Sequence, residues 1–159
     1  MSGGTRPGVS EYGSVDPAPP SKEKNIGLLI SIMLDEDEKM FERMRTIFSL
    51  RNNRSGEAVN ALCQGFSVKS ALLRHELAYV LGQMQDSLAV PTLIRVLSDE
   101  KEHVMVRHEA AEALGAIGDI AAKSTLEQFL TNPNPEVSES CEVALDLLAL
   151  CNSNKNIDW

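Results

Sequence analysis

Apolar positions recur through the middle of the chain at helical spacing. Val106, Ala110, Ala113, Leu114 and Ile117 fall at i, i+4, i+7, i+8 and i+11, and Leu73, Leu77, Val80, Leu81 and Met84 lay out the same stripe 33 residues earlier. A second set repeats ahead of each stripe. Leu62, Leu93 and Leu126 form one column and Phe66, Leu97 and Leu130 another, at steps of 31 and 33 residues. Asp86 and Asp119 stand where helix-opening caps belong, and Pro91 fits a first turn, where a missing amide proton costs little. The pattern predicts four helical hairpins, at about 21–52, 53–84, 85–117 and 118–150, and hence eight helices. Such units bury a continuous core only by stacking, so the expected fold is all-α, an α-solenoid of about four repeats.

The ends of the chain depart from this pattern. Residues 1–20 are rich in Gly, Pro and Ser and close on Asp16-Pro17-Ala18-Pro19-Pro20, which cannot propagate a helix. They are expected to form a flexible linker or a disordered arm ahead of a repeat domain at 21–151, with a tail at 152–159. A length of 159 residues suits one domain. The formal net charge of −8 argues against nucleic acid and anionic membrane as partners, since both require a basic surface, and favours a basic or polyamine-like one. No signal-like apolar region opens the chain and no apolar run approaches the roughly 18 residues of a membrane span, so a cytoplasmic, soluble protein is expected. Cys63, Cys141 and Cys151 form neither a Cys-x-x-Cys pair nor an even set, and Cys63 and Cys141 fall on apolar faces as core residues.

The candidate chemistry lies in a repeated tripeptide. Arg74-His75-Glu76 and Arg107-His108-Glu109 occupy equivalent places near the starts of the second helices of the two inner hairpins. In the same register the outer hairpins carry Arg43-Met44-Arg45 and Ser138-Glu139-Ser140. A residue needed for packing every repeat should recur in all four, whereas a site needs its residues only where it is. Stacked helices lie about 8–10 Å apart, and imidazoles from equivalent positions can close that gap on one ion through bonds of about 2 Å. A helix N-terminus also keeps carboxylate charged and imidazole neutral, which are the ligand forms. Two imidazoles and a carboxylate suit Fe(II), Mn or Zn alike. The competing reading is a solvated charged face with weak arginine ion pairs. Gly82 and Gly115, seven residues after each histidine, either open a cleft or relieve crowding between helices. His103, in a loop-like stretch, and the acidic run Asp35 to Glu38 read as solvent-facing.

Several strings resemble the deoxyhypusine hydroxylase family, HEAT-repeat di-iron monooxygenases. They are Ser70-Ala71-Leu72-Leu73-Arg74-His75-Glu76-Leu77-Ala78-Tyr79-Val80-Leu81-Gly82-Gln83-Met84, Met105-Val106-Arg107-His108-Glu109-Ala110, Glu112-Ala113-Leu114-Gly115-Ala116-Ile117 and Ser140-Cys141-Glu142-Val143-Ala144-Leu145-Asp146. Ser14-Val15-Asp16-Pro17-Ala18-Pro19-Pro20 and Phe41-Glu42-Arg43 extend the likeness to about Tyr12–Leu148. The resemblance implies a HEAT-like solenoid and an iron-dependent enzyme that hydroxylates the deoxyhypusine side chain of translation initiation factor 5A with dioxygen, forming hypusine. His75, Glu76, His108 and Glu109 match the family's metal-binding His-Glu motifs. The expected roles are His75, His108 and Glu109 on one iron, Glu76 turned to a second iron or the substrate amine, and Met105 lining the substrate cleft.

Family members look like two halves of four repeats joined by a linker, each half giving two His-Glu motifs. This chain resembles the linker and the C-terminal half, so it is expected to supply half of the ligands for two Fe2+ ions. The rest would come from an N-terminal homologous half or from a second copy across a twofold axis, without which the chain is expected to be inactive. A non-catalytic HEAT-repeat module that binds a basic peptide is the alternative from another class, and a bilin-handling lyase or chaperone of similar repeats is a third. No nicotinamide or flavin fingerprint is present.

Overall fold

The computed structural model describes residues 4–153 and 156–159. Residues 1–3 of the expected N-terminal segment, and residues 154 and 155 of the expected tail, lie outside the described residues. Eight α-helices and no strand occur among the described residues. They are α1 (Ile26–Leu34), α2 (Met40–Asn53), α3 (Gly56–Gln64), α4 (Ala71–Met84), α5 (Val90–Ser98), α6 (Val104–Ile117), α7 (Lys123–Gln128) and α8 (Pro135–Cys151). They pair in sequence as four hairpins, as the periodicity predicts, and α4, α6 and α8 lie side by side. No described helix is long and apolar enough to cross a membrane.

Local chemistry sets the helix ends. Asn25, Ser55 and Ser70 accept the backbone N–H three residues on and so cap α1, α3 and α4. Asp86 and Asp119 cap short 3-10 turns, Ser87–Ala89 and Ile120–Ala122, that lead into α5 and α7. His103 is exposed and caps α6, its Nδ1 accepting the Met105 N–H at 3.2 Å. At the other ends of α2, α4 and α6, Arg54, Gln85 and Gly118 all take left-handed conformations, and only the last is a glycine.

The stripes of α4 and α6 are buried, with Met84 and Ile117 at the core's edge. The column Leu62, Leu93 and Leu126 is fully buried. The second column breaks at its last member: α7 ends at Gln128, and Leu130 is 41% exposed while Phe129 turns inward over Arg107 at 5.3 Å. The helix is too short to carry the stripe one more turn. Cys141 is fully buried and Cys63 half-buried; burial pushes both thiols up, Cys141 to about 11.

Gly82 and Gly115 act in packing. A Cβ on Gly82 would stand 3.0 Å from Ala113 Cα, and one on Gly115 would stand 2.9 Å from Ala144 Cβ and 3.0 Å from its Cα. Their missing side chains let α4 approach α6, and α6 approach α8, backbone to backbone. That close approach sets how far apart the histidines on successive helices lie.

The described residues ahead of α1 form no helix, make a hydrogen-bonded turn between Ser10 and Ser14 with Gly13 at φ 76°, and are fastened to the repeats. Arg51, completely buried, donates to both oxygens of Asp16 at 3.0 and 2.7 Å and to Gln83 Oε1 at 2.8 Å. Tyr12 and Phe48 stack on its guanidinium at 4.7 and 4.9 Å. Ala18 is buried in the core, and Arg45 donates to the carbonyls of Pro19 and Pro20.

Candidate metal centre

The two inner tripeptides divide their labour. The arginines serve the fold: Arg107 Nε donates to the Leu97 carbonyl at the end of α5 at 2.9 Å, as Arg43 Nε does to Met33 at the end of α1 at 3.0 Å. Arg74 donates to the carbonyls of Val68 and Lys69 and forms a two-pronged pair with Glu102 at 2.8 Å per arm, largely shielded from water. These are not the solvated pairs of a charged surface. The acidic turn is also only partly free, since Glu36 accepts the Lys69 N–H at 3.0 Å and pairs with Arg43 at 3.4 Å.

The histidines and one glutamate converge. His75 Nε2 from α4 lies 3.1 Å from Glu109 Oε2 on α6, and His108 Nε2 lies 3.7 Å from the same oxygen. Ligand bonds of about 2.0–2.2 Å at ordinary angles place neighbouring donor atoms about 3.0–3.5 Å apart. Each histidine nitrogen thus stands near that spacing from Glu109 Oε2, but the group whose donors all lie within 4.8 Å of one another is His108, Glu109 and Glu112, so His75 must shift toward His108 to share an ion. Glu76 stays outside this group, with an oxygen 4.0 Å from His75 Nδ1.

Glu112 joins the cluster. It sits one turn after His108, with Oε1 3.7 Å from His108 Nδ1, and His108, Glu109 and Glu112 bring a donor each within 4.8 Å of one another. The repeat pattern hides it, because the equivalent residue of α4 is Tyr79. The i, i+4 spacing from His108 is the signal that points to it.

Electrostatics favour a cation here. Burial pushes the Glu109 carboxyl up to about 7, with help from the charges of Glu112 and Glu76 and against the pull of His108. Burial also raises Glu76, with Asp16 adding to the rise and His75 and Arg51 opposing it. Three carboxylates crowd a partly dry site, and a metal ion would supply the missing positive charge.

Two grooves flank the cluster and share Glu112. One, of about 320 Å3, is lined by Met105, His108, Glu112, Glu136, Glu139, Ser140 and Val143; Met105 is 41% exposed. The other, of about 370 Å3, runs between α4 and α6 past Tyr12, Tyr79, Gly82, Gln83, Glu109 and Glu112.

The fold agrees with what known proteins show. A family model described as HEAT repeats matches residues 59–146, more than half of the chain, and the chain belongs to that family. Within it, the chain is similar to deoxyhypusine hydroxylases. It is 51% identical to that of Gallus gallus over 144 residues, which are 91% of this chain and 48% of the relative. It is 52% identical to that of Arabidopsis thaliana over 151 residues, 94% of this chain and 48% of the relative. A solved structure of human deoxyhypusine hydroxylase in complex with glycerol superposes with a TM-score of 0.87 at 48% identity, covering 91% of this chain and 50% of that one. The chain thus spans about half the length of the relatives it matches.

Proposed function

We propose that this chain supplies the C-terminal half of the di-iron site of a deoxyhypusine hydroxylase, which acts in the cytoplasm on the deoxyhypusine side chain of translation initiation factor 5A. The observation that carries the reading is the convergence of His75 Nε2 and His108 Nε2 on Glu109 Oε2, in a chain about half identical to proteins of that name. His75, His108 and Glu109 would hold one Fe2+. Glu76 would serve the second iron or the substrate amine. When bound, iron would supply the activation of dioxygen for a monooxygenation in which one oxygen atom becomes the arm's hydroxyl, the other leaves as water, and an external reductant gives two electrons and two protons.

The chain's own residues arrange the substrate. Met105 offers an apolar wall for the methylenes of the arm, and the carboxylate of Glu112, which lines both grooves, attracts its cationic nitrogens, with Glu76, beside His75, adding negative charge. Residues 1–20 form the linker to an N-terminal homologous half, 21–151 form the repeat domain and 152–159 a tail. That homologous half, or a second copy of this chain, completes the ligand set.

The test is hypusine formation on deoxyhypusine-bearing factor 5A, with Fe2+, dioxygen and a reductant, in the presence and absence of the N-terminal half. Product is expected when both halves are present, and is lost with His75→Ala or His108→Ala. Undiminished product with both histidines replaced would overturn the assignment.

A further inference from the structure

Ser140 lies outside the matched His-Glu motifs, on α8, in the register position that Glu76 and Glu109 occupy on α4 and α6. The structure assigns it a role as the positioning residue that holds His108 in its ligand tautomer. Its Oγ is 2.6 Å from His108 Nδ1 and 2.6 Å from the backbone carbonyl of Glu136, one turn back on α8. A serine hydroxyl carries one proton, and a carbonyl can only accept. That proton goes to Glu136, the usual back-bond of a helical serine, so Ser140 Oγ must accept from His108. His108 Nδ1 therefore carries the ring proton, and its Nε2, 3.7 Å from Glu109 Oε2, keeps a free lone pair facing the metal cluster.

A second contact agrees. Glu112 Oε1, another acceptor, lies 3.7 Å from the same Nδ1. Ser140 is buried, so water does not readily replace it. Among the described residues His75 has no such partner: its Nδ1 lies 4.0 Å from Glu76, and its Nε2 lies 3.1 Å from Glu109 Oε2 without the alignment of a hydrogen bond. The two histidines thus enter metal binding differently, His108 with its tautomer already set and His75 with no hydrogen bond that sets one. The fourth hairpin, which lacks the His-Glu pair, contributes a hydroxyl where the inner hairpins carry a carboxylate.

This inference rests on the metal-site reading but not on the hydroxylation reaction, and its test needs no turnover. Nitrogen-15 NMR of the ring nitrogens in the metal-free chain, above the titration range of histidine, reads the tautomer directly. His108 is expected as the Nδ1–H form in the wild type and as a mixture in Ser140→Ala. Ser140→Thr should restore it, because a helical threonine can make the same back-bond. Zn2+ alone, as a diamagnetic probe, should bind Ser140→Ala about 10–100-fold more weakly, with recovery in the threonine variant. A wild-type His108 found as Nε2–H would overturn the assignment even if Ser140→Ala failed to fold, and so would equal Zn2+ affinity in the wild type and a folded Ser140→Ala. Loss of hydroxylation with these two results intact would count against the reaction, not against Ser140.

Discussion

His75 and Glu109 stand 3.1 Å apart on neighbouring helices, although 34 positions separate them in the chain. The contact exists because α4 and α6 meet through Gly82 and Ala113, with no side chain on Gly82 to hold them apart. Metal site and helix packing are therefore one structural problem.

Without metal, Glu109 should make the protein less stable as pH rises. Its folded carboxyl is raised to about 7, against an unfolded value near 4.3, so the folded state holds a proton that the unfolded state has lost. The stability it confers is present at low pH and is lost as pH climbs from about 4.5 through 7. In chelator-treated protein, Glu109→Gln should flatten this decline, gaining on the order of 1–3 kcal/mol over the wild type between pH 5 and 8. Parallel stability curves from denaturant titrations at the two pH values would contradict the prediction.

Gly115→Ala should destabilise the fold despite alanine's better helix propensity. The new methyl group would sit 2.9 Å from Ala144 Cβ and 3.0 Å from Ala144 Cα, and a backbone atom cannot swing aside. Overpacking of this kind costs about 1–3 kcal/mol against a propensity gain of about 1. A net loss of about 1 kcal/mol should appear in urea melts, together with weaker metal binding as α6 and α8 separate.

Removing Asp16 should expose how firmly the N-terminal segment is held. Arg51 is wholly buried, and Asp16→Ala would leave its charge unpaired, at a cost of about 3–5 kcal/mol. Burial pushes the Asp16 carboxyl up, but hydrogen bonds from Arg51 and Ser14 and the Arg51 charge outweigh it and hold the group below the usual carboxylate range. The contribution is therefore complete above about pH 4 and fades as pH falls through the lowered value. Wild type and Asp16→Ala melts should converge toward acid; a constant gap would argue against the ion pair.

Much of the fold was legible because burial repeats with the helix. The stripes from Leu73 and Val106, and the column Leu62, Leu93 and Leu126, follow directly from spacing. Leu130 was not, because the end of α7 depends on a local turn that periodicity does not register. The Arg-His-Glu repeat marks one part of the surface, but spacing does not separate its members. Only packing shows the arginines reaching back to helix-end carbonyls while the histidines turn to the next helix. Glu112 and Ser140 were harder still, since each breaks the repeat: Tyr79 stands opposite the first, and Glu109 and Glu76 opposite the second. The fastening of the N-terminal segment through Asp16 and Arg51 joins residues 35 apart with no periodic relation.

The most direct test of the central claim is anaerobic equilibrium dialysis of Fe2+ against the metal-free chain, alongside His75→Ala, His108→Ala and Glu109→Ala. One ion per chain, lost in all three variants while their helical circular dichroism remains, is the predicted result. Binding that survives all three substitutions would contradict a metal centre built on these residues.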